Sequence, residues 1–357
     1  MGSAAMYQLA RRGVRVLGVE QFAAFHNRGS SHGRSRVFRT TYDDPVYVEL
    51  SIEALELWRS LEQYSSDSLL HLAGLLVFAS RKNERFERTL ATLKQMGLPH
   101  DVMSGPEAAR RFDVFSFDEQ ITTFFASQNG VIFADRALQA MHQVAQQYGA
   151  TVWDRTTVRS IEPSGAGVKI ATQRRTVTAD QVVITAGPWL RTLLAELDLP
   201  LQVTRERKVY FDVDDRSRYR LDRLPVFVEY DTSIYSLPMH SDVGLKVAAD
   251  HAGETVDPNN VNREVEAEYI EHITNWVRKW LPAAAPRAIE SAVCLYTNTP
   301  DLDFIVDRHP LNPQVVVAGG FSGHGFKFSI LVGDIVADLV IHGTTRRSID
   351  RFGISRF

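Results

Sequence analysis

The sequence predicts an α/β protein in which a domain of strands and helices is interrupted by a β-rich domain. Three observations support this prediction. The chain opens with a helical pattern, a glycine and a short apolar strand pattern over residues 3–19. A strand-like run that starts at Val315 breaks into a glycine-rich turn and then into a helix pattern that reaches Ile341. Between these ends, residues 201–290 contain short runs that alternate as strands do.

Composition and charge exclude several classes of protein. The 357 residues are enough for one large or two intertwined domains, and 44% hydrophobic with 23% charged residues is ordinary for a globular protein. The net charge of −3 argues against a nucleic-acid or anionic-membrane surface. With one cysteine, no membrane-spanning run and no signal peptide, a cytoplasmic protein without disulfides is expected. No His or His/Cys spacing suits zinc or iron, so no metal site is expected.

The N-terminal segment carries half of a dinucleotide-binding pattern. Residues 3–11 read as a helix that Gly13 ends, and residues 14–19 read as a strand that ends at Glu20. An acid at a strand end, about 20 residues after a glycine that opens a helix, is typical of a Rossmann-like fold. Glu20 would then accept hydrogen bonds from the ribose of an adenosine group. A solvated acid at a strand end explains the same pattern.

A polar loop over residues 29–39 is rich in glycine, serine and arginine. Arg34, Arg36 and Arg39 suit the binding of a phosphate or carboxylate through charge-assisted hydrogen bonds. The alternative is a solvated basic loop. Directly after it, Asp44 and Pro45 predict the N-cap and first turn of a long helix.

Two further lysines lie in informative positions. Lys246 interrupts an apolar alternation, so it is either an edge residue whose amine reaches solvent or a buried cation with a function. Lys327 follows the glycine-rich turn, whose backbone N–H groups at a helix start favour an electron-rich or anionic group. A tight turn without a ligand is the alternative there. Cys294, taken alone, reads as a small buried hydrophobic residue.

Three ordered motifs resemble the monomeric sarcosine oxidase family, which also includes N-methyltryptophan oxidase. They are Cys-x-Tyr-Thr-x-Thr-Pro-Asp from Cys294, Asp-Phe-Ile-Val-Asp-x-His-Pro from Asp303, and Gly-Phe-Ser-Gly-His-Gly-Phe-Lys-Phe ending at Phe328. The basic loop and the Gly-Leu-Lys strand that ends at Lys246 match the same family. The resemblance covers essentially the whole chain. The family oxidises secondary amines with a flavin.

The resemblance implies a FAD-binding, Rossmann-like domain with an inserted β-rich substrate domain. The FAD-binding domain is expected at residues 1–65, 130–200 and 291–357, and the substrate domain at 66–129 and 201–290. The family begins with a strand and Gly-x-Gly-x-x-Gly, whereas this chain begins at the position of the last glycine, Gly2. We therefore expect either an incomplete start or impaired flavin binding. A missing central strand should leave unpaired backbone groups that cost about 1–3 kcal/mol each.

The resemblance also implies where FAD is held. Cys294 corresponds to the cysteine whose sulfur is bonded to the flavin ring, so covalent attachment is expected. In addition to Gly2 and Glu20, the resemblance implies a set of cofactor-binding residues: Ser31, His32, Arg36, Val158, Ala186, Gly187, Cys294, Gly323, Gly325, Phe326 and Lys327.

The same comparison implies catalytic roles. Arg39 and Lys327 would hold a substrate carboxylate, Lys246 would promote reaction with dioxygen, and Arg36 would tune the flavin. Tyr235 and Asp250 complete the expected set. Asp250 stands where the family usually has a histidine, and His251 follows it. Asp250 would favour a protonated substrate amine, pair with Lys246, or point away while His251 takes the role.

The function expected from these residues is FAD-dependent oxidation of a secondary amine. The substrate would be an N-methyl amino acid such as sarcosine, giving an imine while O₂ is reduced to H₂O₂. A monomer is expected whose partners are a small amine and O₂, without nucleic acid or membrane. One alternative is an oxidase or dehydrogenase for another amine, such as N-methyltryptophan, pipecolate or a glycated amino acid. The other is a flavin-deficient homologue without catalytic activity.

Overall fold

The computed structural model describes residues 1–165 and 167–357. Within these residues the helices, numbered α1 to α8, are Gly2–Arg11, Pro45–Ser65, Glu84–Gln95, Gly105–Arg111, Ala134–Gln147, Leu190–Leu193, Ala267–Trp280 and Ser329–His342. The strands, numbered β1 to β20 over the same residues, are Leu17–Val19, Arg36–Phe38, Leu70–His71, Leu75–Ser80, Asp101–Ser104, Ile121–Ala126, Gly130–Ile132, Thr151–Trp153, Val158–Ser164, Gly167–Thr172, Thr176–Ala179, Val182–Ile184, Gln202–Asp212, Val226–Glu229, Ile234–Leu237, Leu245–Ala249, Glu254–Thr255, Arg287–Asn298, Ile305–His309 and Asn312–Gly319.

A cluster of helices forms the first core. The helix α8 is apolar on nearly all sides, so it is buried against α1 and α2, while α5 packs on α1. Gly333 allows the close approach of α8 to α1, because a Cβ there would lie 2.6 Å from the backbone of Ala4. The crossing of these two helices therefore depends on a residue without a side chain.

Two pairs of parallel strands belong to separate small sheets. The strand β1 pairs with β8, and β12 pairs with β20, both in parallel. In the part of the chain that the structure describes, β1 and β12 each pair on one side only. Both strands line the same cavity.

A nine-stranded sheet forms the second half of the molecule. The strands β4 and β14 pair in parallel at its centre, which joins residues 75–80 to residues 226–229. The strands β13 and β18 form a long antiparallel pair from Gln202 to Asp212, opposite Asn298 to Arg287. Aromatic side chains of this sheet pack against α7, where Phe227 stacks on Trp276 with 5.9 Å between ring centroids.

Most predicted elements are present, with three differences. The first strand begins at Leu17 rather than residue 14, because the Val14 N–H is still bonded to the Leu9 carbonyl at the end of α1. Residues 201–290 were predicted to contain short strands, but the first of them, β13, is 11 residues long. The whole of β18 was not predicted as a strand, because six exposed or half-buried residues precede Val293 and hide its alternation. The predicted helix at Asp44 and Pro45 is confirmed.

None of the helices within the described residues is both long enough and apolar enough to cross a bilayer.

Candidate functional site

A cavity of about 1610 Å³ runs from the start of α1 to the face of the nine-stranded sheet. Pockets for small organic ligands are usually about 300–1,000 Å³, so this volume suits a dinucleotide together with a small second ligand. Every residue predicted to bind the cofactor or to act in catalysis lines the cavity. They are Gly2, Glu20, Ser31, His32, Arg36, Arg39, Val158, Ala186, Gly187, Tyr235, Lys246, Asp250, Cys294, Gly323, Gly325, Phe326 and Lys327.

One end of the cavity is formed by the start of α1 and the end of β1. Gly2 packs so closely there that a Cβ would lie 2.8 Å from the Thr185 hydroxyl oxygen. The Glu20 carboxylate accepts a hydrogen bond of 2.9 Å from the Phe22 N–H and lies 3.5 Å from Nε2 of His26. A helix start with free N–H groups and a nearby carboxylate suits the phosphate and ribose parts of a nucleotide.

The basic loop folds around one of its own arginines. The Arg36 guanidinium donates to the carbonyl oxygens of Ser30, His32 and Ser35 over 2.7, 2.6 and 2.9 Å. It also lies 5.5 Å from the centre of the Phe326 ring. Arg36 is half-buried on the cavity wall, so it is a residue that shapes the loop rather than a solvated surface charge.

Lys246 is a buried cation, not an edge residue that reaches solvent. It is 2% exposed, and its amine donates a hydrogen bond of 3.0 Å to the Ser35 carbonyl oxygen. Burial, together with the positive charges of Arg36 and Lys208, holds the pKa of Lys246 well below its usual range. The amine therefore changes charge more readily than an ordinary lysine.

The site around Cys294 contains two residues that sequence reasoning missed. Cys294 lies opposite Glu206 in the β13–β18 ladder, and Lys208 lies on the same face two residues further along. Lys208 is 3% exposed and its amine has no hydrogen-bond partner among the described residues. Burial lowers the pKa of Lys208 to about 8, against the opposing effect of Cys294 and with a contribution from Arg36. Glu206, Lys208 and Tyr210 occupy alternate positions along β13, and this alternation was the sequence signal that could have placed them on one face of a strand.

A second group of positive side chains lies further along the wall. The Lys327 amine donates to the Tyr42 hydroxyl over 2.8 Å and to the His324 carbonyl oxygen over 2.7 Å. The Arg39 guanidinium lies 4.2 Å from the centre of the Tyr42 ring. Burial and the charge of Arg39 lower the pKa of Lys327 well below its usual range. Tyr42 therefore holds two cations at one place, where they suit a carboxylate.

The structure separates the three positions considered for Asp250. Asp250 lines the cavity, so it does not point away. Its carboxylate accepts a hydrogen bond of 3.2 Å from the Tyr296 hydroxyl and lies 3.3 Å from Nδ1 of His251. Within the described residues it forms no ion pair with Lys246, whose amine is bonded to Ser35 instead. Asp250 therefore lies on the cavity wall beside Tyr296 and His251.

The glycine-rich turn is shaped by close contacts. Gly323 has a φ of 75°, and a Cβ there would lie 2.3 Å from the Tyr296 ring. No side chain fits at this position without moving that ring. A short 3₁₀ helix, Phe326–Phe328, lies between the turn and α8, so the turn does not open the α-helix directly as the sequence suggested.

The residues present fit a bound FAD. Among the described residues, several buried polar atoms on or beside the cavity have no protein partner: His32 Nε2, Ser35 Oγ, Thr297 Oγ1 and Lys208 Nζ. Buried polar groups are normally satisfied, so these atoms suit the polar groups of a large ligand. Among the same described residues, no group of three or more His, Cys, Asp and Glu side chains could hold a metal ion.

Comparison with known proteins agrees with this chemistry. Residues 1–339 match the family model for FAD dependent oxidoreductases. The chain is 36% identical to monomeric sarcosine oxidase of Bacillus sp. (strain B-0618), covering 100% of this chain and 93% of that one. It is 33% identical to the human peroxisomal sarcosine oxidase, with 98% and 92% covered. It is 28% identical to N-methyl-L-tryptophan oxidase of Yersinia pestis (strain Pestoides F), with 100% and 96% covered.

Solved structures share the fold. NikD, an unusual amino acid oxidase essential for nikkomycin biosynthesis, superposes with a TM-score of 0.87 at 24% identity, covering 98% of this chain and 94% of that one. Glycine oxidase from Geobacillus kaustophilus gives 0.86 at 20% identity, with 99% and 95% covered. The chain belongs to the FAD dependent oxidoreductase family, within its group of monomeric sarcosine oxidases and N-methyltryptophan oxidases.

Proposed function

We propose that this protein is a FAD-dependent amine oxidase that converts a small N-methyl amino acid, such as sarcosine, to its imine while O₂ is reduced to H₂O₂. The observation that carries the proposal is a pair of cations, Arg39 and Lys327, in the same cavity as the buried Lys246. When bound, FAD supplies the hydride acceptor and the group that reacts with dioxygen. The side chains contribute position and charge.

Arg39 and Lys327 are the residues proposed to hold the substrate carboxylate. Lys327 has three N–H donors and uses two of them on Tyr42 and His324, which leaves one for a ligand. Arg39 donates one N–H to the Thr41 carbonyl oxygen over 3.2 Å and keeps other donors of its fork. Two donors from different elements fix the direction of a carboxylate, and with it the position of the neighbouring amine and methyl groups.

Lys246 is proposed to serve the reaction with dioxygen. Its amine is fixed by Ser35 and enclosed by protein, so it needs no reorganisation to present a positive charge. A cation held in this way stabilises negative charge that develops on oxygen. Arg36, which also contacts the Ser35 carbonyl oxygen, is proposed to tune the flavin from the adjoining loop.

Cys294 is proposed to carry a covalent bond to the cofactor. Cys294 is half-buried in the wall of the cavity, opposite Glu206 and diagonal to Lys208 on the same sheet face. The other contacts proposed for FAD come from the start of α1, the loop at Ser31 and His32, and the turn at Ala186. We further propose a cytoplasmic monomer whose only partners are the amine and O₂.

The test is a visible absorption spectrum of the purified protein, before and after acid precipitation. We expect flavin colour that stays with the pellet, because a covalent bond survives unfolding. Colour released to the supernatant would be consistent with a flavin enzyme but would contradict a covalent bond at Cys294.

The coloured protein is then assayed with a panel of N-methyl amino acids, pipecolate and a glycated amino acid, with detection of peroxide. We expect peroxide with sarcosine. Turnover with an artificial electron acceptor but not with O₂ would indicate a dehydrogenase. A colourless protein that gives no peroxide with any amine after incubation with FAD would overturn the proposed function.

A further inference from the structure

The cavity contains a positively charged region beside the proposed carboxylate site. Arg39 and Lys327 flank Tyr42, and Arg85 reaches the same cavity from α3. Arg85 lies 4.3 Å from the centre of the Tyr230 ring and 3.5 Å from the Ser233 hydroxyl oxygen. A substrate whose only charged group is a carboxylate would satisfy these cations, but it would place no positive charge against the carboxylate that lies elsewhere on the cavity wall.

That other group is the carboxylate of Asp250. It lies one residue after β16, where its backbone N–H donates to the Ser233 carbonyl oxygen over 3.0 Å. The side chain remains 33% exposed, and it lines the cavity. The Tyr296 hydroxyl and His251 each occupy one of its oxygens, and an ionised carboxylate has about four acceptor positions, so capacity for a ligand remains.

The surroundings favour the ionised form of Asp250. Burial opposes the charge, but the hydrogen bond from His251 and the charges of His251 and Arg39 outweigh it and lower the pKa of Asp250 to about 2. The other titratable side chains around it include Lys327, His324, Glu206 and Arg85 and the tyrosines Tyr42, Tyr235 and Tyr296. Negative charge therefore lies on one part of the chamber wall and positive charge on another.

We propose that Asp250 binds the ammonium group of an amino acid whose carboxylate lies against Arg39 and Lys327. The chamber would then select zwitterions with a positively charged amine over carboxylic acids of the same shape that lack the charge. The rings of Tyr235 and Tyr296 lie on the same part of the cavity wall and complete the enclosure. This inference rests on the proposed function for the amino acid as ligand, and it assigns the residue that recognises its amine.

The test compares two ligands of nearly equal shape. The two ligands are the zwitterion (trimethylammonio)acetate and the anion 3,3-dimethylbutanoate. They share a carboxylate, and the branched group is centred on a positively charged nitrogen in the first and on a carbon in the second. The quaternary nitrogen has no lone pair, so it is not turned over. Binding to the FAD-loaded protein is measured by calorimetry at neutral pH. We expect the cationic ligand to bind at least about tenfold more tightly, because the quaternary nitrogen is attracted by the charge of Asp250 although it donates no hydrogen bond.

Two variants assign that difference to Asp250. Asp250→Asn keeps the shape and removes the charge, so the two ligands should bind within about threefold of each other, because the Coulomb attraction that distinguishes them is gone. Asp198→Asn makes the same change at a side chain that is 92% exposed, and it should retain the wild-type preference. A preference that survives in Asp250→Asn would assign the ammonium site to the tyrosine rings and overturn the proposal.

The wild-type measurement stands even if the Asp250 variant does not fold. Equal binding of the two ligands by the wild-type protein, or no binding of either, would overturn the inference. Oxidation of N-methyl amino acids together with equal binding would leave the proposed function in place and remove only the role of Asp250. A clear preference for the cationic ligand in a protein that oxidises no amine would support the role of Asp250 and contradict the proposed function.

Discussion

Lys246 shows how burial changes what a lysine contributes. Its amine is enclosed, bonded to the Ser35 carbonyl oxygen and close to the charges of Arg36 and Lys208. Enclosure makes its charge effective on a neighbouring group, because little water screens it. The same enclosure lowers its pKa, so the charge is lost at a lower pH than for an exposed lysine.

Replacing Lys246 with methionine should therefore slow reoxidation of the reduced flavin by O₂ far more than its reduction by the amine. In the wild-type protein, reoxidation should slow as the pH rises through the pKa of Lys246, because the cation is the form present below that pKa. The variant should show no such dependence. Stopped-flow absorbance of the two half-reactions measures both rates.

Lys208→Met is the matched control, since it removes another buried amine of the same region that does not contact Ser35. We expect it to change reoxidation less than Lys246→Met does. Equal losses in both half-reactions of Lys246→Met would sink the assignment to oxygen.

For single residues, the sequence predicted which side chains line the site better than it predicted which other side chains lie beside them. The residues from Gly2 to Lys327 that were predicted for the site all lie on one cavity, although their individual roles stay predictions. Lys208 and Glu206 were missed because a charged residue in an alternating strand is usually on a solvated face. Only the pairing of β13 with β18 shows that this face is covered and lies beside Cys294.

Among the elements, α2 illustrates a local signal that was read correctly. The Asp44 side chain accepts a hydrogen bond of 2.9 Å from the Val46 N–H, and Pro45 occupies the first turn. Asp44 also pairs with Arg351 near the C-terminus, so one carboxylate caps the helix and holds a distant segment. Trp58 on the same helix donates to the Lys327 carbonyl oxygen over 2.8 Å, which connects α2 to the candidate site.

Asp44→Ala should lower the free energy of unfolding by about 1–2 kcal/mol through loss of the cap, with a smaller loss from the ion pair. Asp43→Ala is the control. The Asp43 carboxylate is next to Asp44 in the chain, but it pairs with exposed Arg88 at 3.3 Å and does not cap the helix. It should change stability by less than about 0.5 kcal/mol. Denaturant titration followed by circular dichroism gives both values, and equal losses would refute the cap.

The strand β18 shows why some elements could not be predicted. Its first six residues are exposed or half-buried, and alternation begins only at Val293. Its length follows from a partner about 80 residues earlier in the chain, because β13 pairs with it along nearly its whole course. Long-range pairing of this kind leaves no local pattern in the exposed first half of β18.

At the scale of the whole molecule, the cavity is bordered by two hydrophobic cores. Helices α1, α2, α5 and α8 enclose one core, and the nine-stranded sheet with α7 encloses the other. The cavity walls contain residues from both, so a ligand that fills it touches both. The proposed division into discontinuous FAD-binding and substrate domains follows from the resemblance and stays a prediction.

FAD should therefore stabilise the folded protein markedly. A ligand that binds only the folded state adds about 2.7 kcal/mol at a concentration 100 times its dissociation constant. The variant Cys294→Ala, stripped of flavin and returned to FAD, should unfold at a higher temperature in scanning calorimetry than without it.

Riboflavin provides the control, because it lacks the adenosine and phosphate groups that would reach α1 and Glu20. It should raise the unfolding temperature less than FAD does at equal concentration. Equal shifts would show that the α1 end of the cavity contributes no binding.

The strands β1 and β12, which both line the cavity, have a consequence for solvent access. Each strand is bonded to a neighbour on one side only within the described residues, so backbone amides on its other side depend on whatever fills the space. Deuterium should enter residues 17–19 and 182–184 far sooner than residues 203–210, which lie between two bonded neighbours for much of their length. Slower deuterium uptake at the first two segments would then report occupation of that space directly, without any catalytic assay.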